Sequence, residues 1–197
     1  MIPSGGEIEA LCRKAARGAG MTWGLAEEAG RAVRWLEGWG LAGADALAEV
    51  LAAPDFGAPR RDGRVWSGTC PIYMGAALTD RAVEIARTGV EVREVRAPLL
   101  LLPAFAFIAA RRSMMLAWPG GSGFLGPGEL WLDGEVPGGT VRARPGDVRS
   151  GVRLAAVPPR PIPEGVLAAL TAAAERTYAP AHIGQEDGAG AGRTDND

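Results

Sequence analysis

The stretch from Glu7 to Trp39 constrains the fold more than any other part of this chain, because it spells two amphipathic helices joined by one glycine-containing turn. Ser4 followed by Glu7 has the spacing of a capping box, which starts the first helix near Gly5. Ile8, Leu11, Cys12 and Ala15 recur on one helical face, while Glu9, Arg13 and Arg17 stand four apart on another. Arg17-Gly18-Ala19-Gly20-Met21-Thr22 then makes the turn. Gly18 or Gly20 takes the left-handed conformation that ends a helix, and Thr22 is a good N-cap for the next. The second helix sets Leu25, Ala29, Ala32, Val33 and Leu36 on one stripe, which Trp35 and Trp39 widen before Gly40 closes it.

This turn is the first candidate site. Free amides at a helix N-terminus, the positive end of its dipole and the neighbouring Arg17 can grip a carboxylate or phosphate, with Thr22 and Trp23 at the edge. A plain helical hairpin explains the same residues, and Glu27 and Glu28 already complement the dipole and repel an anion. As acid/base groups or metal ligands, those two glutamates compete with an ordinary surface pair from Glu27 to Arg31.

Composition narrows the classes. With 47% hydrophobic and 22% charged residues the chain is globular, and its formal net charge of −2 gives no electrostatic footprint for nucleic acid. Lys14 is the sole lysine, which excludes a Walker phosphate loop and leaves one Schiff-base candidate, set on a charged helix flank. The longest apolar run, Ala97 to Ala110, is broken by prolines and falls short of the roughly 18 residues that span a bilayer. The N-terminus has no basic region followed by an apolar one, and the two cysteines form no Cys-x-x-Cys pair. A reducing, cytoplasmic setting is therefore expected, with neither a metal cage nor a disulfide scaffold; the sequence specifies no cofactor.

The element pattern predicts an α+β fold: a three-helix N-terminal unit on a mixed sheet, with a C-terminal helix on the same sheet. The expected domain covers residues 1–183, with a helical subregion at 4–53, a sheet region at 64–158 and a last helix at 163–179. Residues 184–197 are expected to form a flexible Gly/Ala-rich, acidic tail. A third helix runs from Ala44 to Ala52 until Pro54 stops it. Val65 to Thr69 reads as a strand, a helix carries Ala76 to Leu78, and Thr79 caps Asp80 to Thr88. Val90 to Val95 reads as a half-exposed strand and Leu99 to Leu102 as a buried central one. With a helix from Pro103 to Arg112 and a strand from Met114 to Trp118, the latter strand completes a strand-helix-strand unit. Glu129 to Leu132, Thr140 to Arg144 and Val152 to Val157 extend the sheet in antiparallel fashion, Pro158 to Pro163 is a stiff connector, and Glu164 to Tyr178 is the last helix.

Three further motifs bear on function. Gly121-Ser122-Gly123-Phe124-Leu125-Gly126 matches Gly-x-Gly-x-x-Gly, but a dinucleotide site needs a helix to open there, and Pro127-Gly128 and a strand follow instead. The segment is expected to be a hairpin loop. Cys70, before Pro71 at a helix start, is a candidate catalytic nucleophile with His182, the only histidine, as its base; a buried cysteine and a surface histidine are the plainer reading. Asp195 and Asp197 at the chain end form an oxygen cluster able to bind a cation or fold onto Arg17, against the alternative of a solvated tail.

Ala15-Ala16-Arg17-Gly18-Ala19-Gly20, followed by Trp23-Gly24 and Ala26-Glu27-Glu28-Ala29, resembles a bacterial family known only as a domain of unknown function, found mainly in proteobacteria. The ending, from Arg176-Thr177-Tyr178-Ala179-Pro180-Ala181 to Asp195-Asn196-Asp197, is similar as well, so the resemblance covers nearly the whole chain. It implies no activity, catalytic residue or fold, but it gives the terminal aspartates more weight. Two function classes follow. One is a cytoplasmic protein that binds, or also transforms, a small anionic metabolite at Arg17, Thr22 and Trp23, closed by Asp195 and Asp197. The other is a non-catalytic partner or assembly subunit that docks its tryptophan-bearing second helix and its acidic tail onto a larger enzyme. Neither uses nucleic acid or a membrane.

Overall fold

The computed structural model describes residues 2–136 and 138–177. Helix α1 (Gly5–Gly18) opens on the expected capping box: Ser4 Oγ accepts from the Glu7 amide, and the Glu7 carboxylate accepts from the Ser4 amide at 2.7 Å. Helix α2 (Trp23–Gly38) is capped by Thr22, and α3 (Gly43–Ala52) follows a short turn. Small residues let these helices approach closely. A side chain at Gly30 would come within 2.7 Å of the Glu9 carbonyl across the α1–α2 contact, and one at Gly18 would strike the Ala173 carbonyl of the last helix. Helix α1 therefore packs against both α2 and the C-terminal α7 (Glu164–Glu175).

Eight strands form one mixed sheet in the order β1 (Arg60–Asp62), β2 (Val65–Ser67), β3 (Val90–Val95), β7 (Gly139–Pro145), β4 (Met114–Trp118), β5 (Gly121–Gly126), β6 (Glu129–Asp133) and β8 (Val152–Arg153). Among the described residues only β2 and β3 pair in parallel, joined by α4 (Pro71–Thr79) and α5 (Ala82–Thr88). Strand β7 inserts between β3 and β4, antiparallel to both, so β3 and β4 run the same way without touching. Val90, Val141, Ala143, Met114 and Leu116 are buried on the face packed by α5 and by α6 (Leu102–Ala109). The architecture is α+β, as the pattern predicts.

Several boundaries differ from expectation. Leu99 to Leu102 is not a central strand: Pro98–Leu101 is a 3-10 turn that runs into α6. A four-residue apolar run does not distinguish a buried strand from a buried turn of helix, and Ala97, held at φ 41°, swings the chain out of the sheet just before Pro98. The strand that precedes α6 and runs parallel to β4 is therefore β3. Gly121 to Gly126 is not a loop but strand β5, the loops being the two-residue turns on either side of it. Thr79 does not cap α5; its hydroxyl donates back to the Ala76 carbonyl. Beyond Arg153 the expected strand gives way to an extended strap, residues 154–163. The last helix ends at Glu175, and the tail at 184–197 lies outside the described residues.

The strap is tied to the helical unit by one buried charge cluster. Glu37, only 6% exposed, accepts the Ala44 amide at 3.0 Å and Arg160 Nη2 at 3.1 Å on Oε1. Arg160 Nε lies 2.8 Å from Glu37 Oε2, a charge contact not aligned as a hydrogen bond, and Nη2 also reaches Asp45 at 2.9 Å. Removing the cation strands a buried carboxylate. Arg160→Ala is expected to destabilise the fold by about 3 kcal/mol, the lower end of the range for breaking a buried pair because Arg160 is 28% exposed on its side chain. Urea unfolding followed by circular dichroism reads this directly.

On the opposite face of the sheet, Glu91 accepts from Arg142 Nε at 2.8 Å and from Arg93 Nε at 2.6 Å, and these hydrogen bonds hold its carboxyl below the ordinary range. A depressed folded value gives stability that is fully present above the ordinary 4.5 and is lost as pH falls through the folded value. Glu91→Gln should therefore flatten the fall of melting temperature below that pH, with little change near neutrality.

Candidate functional site

The turn between α1 and α2 brings Arg17, Thr22 and Trp23 together, but it spends their polar groups locally. Arg17 Nη1 donates to the Met21 carbonyl at 2.7 Å, and its guanidinium lies over the Trp23 ring, 5.0 Å from the centroid. Thr22 Oγ1 accepts the Leu25 amide at 3.5 Å. Arg31 draws in both neighbouring acids, Glu28 at 2.7 Å and Glu27 at 3.8 Å. Thr22 and Trp23 are both exposed, Trp23 at 62%. Asp195 and Asp197 lie outside the described residues.

Cys70 occupies the N-cap of α4, where its sulfur accepts the Tyr73 amide at 3.5 Å. The residue is fully buried, and burial pushes its thiol pKa up, more than the Tyr73 and Ile72 amides pull it down. Beside it, Thr69 donates to the Asp55 carboxylate at 2.7 Å, a hydrogen bond that holds that carboxyl low with help from the Gly57 amide. The Arg96 amide reaches the Thr69 carbonyl, while its side-chain Nε and Nη2 are buried with no hydrogen-bond partner among the described residues. His182 lies outside the described residues. Cys12 is buried on α1, its thiol raised by burial and then by the Glu37 charge. Among the described residues no group of three or more His, Cys, Asp or Glu side chains is placed to hold a metal ion.

Two adjoining apolar concavities lie elsewhere, along α2. A hollow of about 430 Å³ opens between α2, α4 and α6, walled by Trp35, Ile72, Gly75, Leu100, Pro103 and Phe107, with Glu28 and Arg31 on its lip. A second, of about 380 Å³, continues past the same Trp35, Pro103 and Phe107 to Trp39 and the β5–β6 turn. Trp35 and Trp39 meet at 5.8 Å between centroids, tilted by 52°. Phe107 lines both hollows and is 50% exposed, and the Arg111 guanidinium rests 4.7 Å over its ring while donating to the Phe107 carbonyl. The i, i+4 tryptophans were visible in the sequence as a widening of the α2 stripe. Phe107 was not, because its apolar run carries no period that sets one outward position apart.

A family model described as "Protein of unknown function (DUF3726)" matches residues 3–83. That is about 40% of the chain, not the nearly whole-chain coverage expected from the resemblance. The match takes in α1 to α4, and so the α2 and α4 walls of the groove, but stops before α6 and Phe107. None of the curated proteins matches the chain. No helix of the described residues is long and apolar enough to cross a membrane.

Burial makes a plain prediction for the thiols. In the native protein at neutral pH, Cys12 and Cys70 should both react with an alkylating reagent far more slowly than free cysteine, and in denaturant both should react at the free rate. A mass spectrum of the labelled peptides separates the two.

Proposed function

We propose that this protein is a non-catalytic docking module that holds a protein partner in the groove along α2 and α6. The observation that carries the reading is the pair of adjoining apolar hollows sharing Trp35, Pro103 and a half-exposed Phe107. Tryptophan and arginine anchors next to shallow apolar concavities are what interface centres use, whereas a lone exposed phenylalanine would need no explanation. Gly75 and Ala104 form the floor of the groove, packed against each other where α4 meets α6: a side chain at Gly75 would come within 3.4 Å of the Ala104 methyl. A cytoplasmic setting suits two thiols left unpaired.

A small anionic metabolite at Arg17, Thr22 and Trp23 is the weaker reading. Arg17 and Thr22 are engaged with their own turn, and Glu27 and Glu28 outweigh Arg31 in the next turns of the helix.

Site-specific cross-linking tests the proposal. A photoreactive residue replacing Phe107, compared with one replacing the still more exposed Val152 on the edge strand β8, which lines neither hollow, should yield one dominant cross-linked protein species in the native host from position 107 only. Trp35→Ala should abolish that species and Arg17→Ala should leave it. Equal, diffuse labelling from both positions would count against docking at this groove.

A further inference from the structure

Resting on the docking reading, we infer that the occupant of the groove is a second copy of this chain, related by a two-fold axis so that Phe107 and Arg111 of each copy enter the other's larger hollow. A two-fold interface must be self-complementary, with the same patch supplying projection and recess. This face has both. Phe107 projects, half exposed, from the ridge between two recesses whose walls are apolar.

The charges match in the same sense. The lip of the larger hollow carries Glu28 and Arg31, with Glu27 held to the same arginine, so two carboxylates face one guanidinium. The projection carries the opposite sign: Arg111 rides on the Phe107 ring, and its hydrogen bond goes to a carbonyl of its own helix, with no carboxylate partner among the described residues. Seating the projection of one copy in the hollow of the other brings an unpaired guanidinium to a lip with an excess carboxylate, and does so twice. A partner whose projecting residue was flanked by acid would meet repulsion at Glu28 instead.

Sedimentation velocity of the purified full chain over a concentration series tests the inference. The wild type should populate a dimer that dissociates on dilution. Phe107→Ser should weaken it about 30-fold or more, the loss expected of an interface anchor. Glu28→Arg and Arg111→Glu should each weaken it, and the double variant should regain most of the wild-type affinity because the crossed pair is restored with its signs exchanged. Both charged sites lie on the surface, so the reversals remain informative if Phe107→Ser fails to fold. A wild type that stays monomeric throughout, or a dimer indifferent to all four variants, overturns the inference. If the chain is monomeric while position 107 still cross-links to one different protein, this inference falls and the docking reading stands. If it is monomeric and no specific cross-link forms, both fall.

Discussion

The fold depends on a buried carboxylate that the chain has to satisfy from two directions. Glu37 sits at the end of α2, where it closes the entry to α3 by accepting the Ala44 amide, a donor for which that helix has no side-chain cap of its own. Its charge then has to be met, and Arg160 meets it from a strap far along the chain while also pairing with Asp45. The Val157 amide adds a bond to the Gly38 carbonyl one residue after Glu37. The prolines around Arg160 reduce the freedom that the strap loses on docking, so the pairing is formed at low entropic cost. With the strap fixed, α7 is delivered to α1, where the absence of a side chain at Gly18 lets the two backbones meet. One ion cluster thus joins α2 and α3 to the strap that leads into α7.

How much of this the sequence disclosed follows from the range of the interactions involved. The capping box at Ser4 and Glu7, the Thr22 cap and the stripe of α2 are set by residues within four positions of one another; the two caps were legible to the residue, and the stripe in outline, with Ala29, Ala32, Val33 and Leu36 buried as expected and Ala26, Gly30 and Glu37 buried beside them. Strands β3, β4, β6 and β7 were legible from alternation or β-branched content. Leu99 to Leu102 was not, because its conformation is decided by Ala97 and Pro98 and by the insertion of β7 into the place a central strand would take. The Gly-rich run at Gly121 to Gly126 misled for a related reason. Glycines in a strand read as a loop, whereas here they make room for Trp118 and for the Leu132 side chain against β4 and β6.

The functional residues divide along the same line. Arg17, Thr22 and Trp23 are neighbours in sequence, so their convergence was foreseeable, but the same closeness lets them satisfy one another and leaves little polar capacity for a ligand. Cys70 was read correctly as the start of a helix, yet the packing that makes it a cap also seals it from solvent. The groove, by contrast, is assembled from α2, α4 and α6, whose separation in sequence hid it. Only its tryptophan wall had a local signature.

Energetics limits what Phe107 can do alone. Burying a phenylalanine side chain completely is worth about 1.5–3 kcal/mol, so covering the exposed half on both copies returns about 1.5–3 kcal/mol in total. Association costs at least about 4 kcal/mol in lost translation and rotation before any side chain is ordered. The projection therefore needs the hollows. Trp35, Trp39 and the apolar floor between α4 and α6 would have to lose their water in the same event, and the proposed Arg111 to Glu28 contact would act mainly to set the register and exclude the wrong partner. The proposed dimer would thus be a cooperative interface in which the aromatic wall supplies affinity and the charged lip supplies identity. In such an interface the two contributions would be separable by residue: removing Trp35 would weaken binding of any occupant, while reversing Glu28 would change which occupant is preferred.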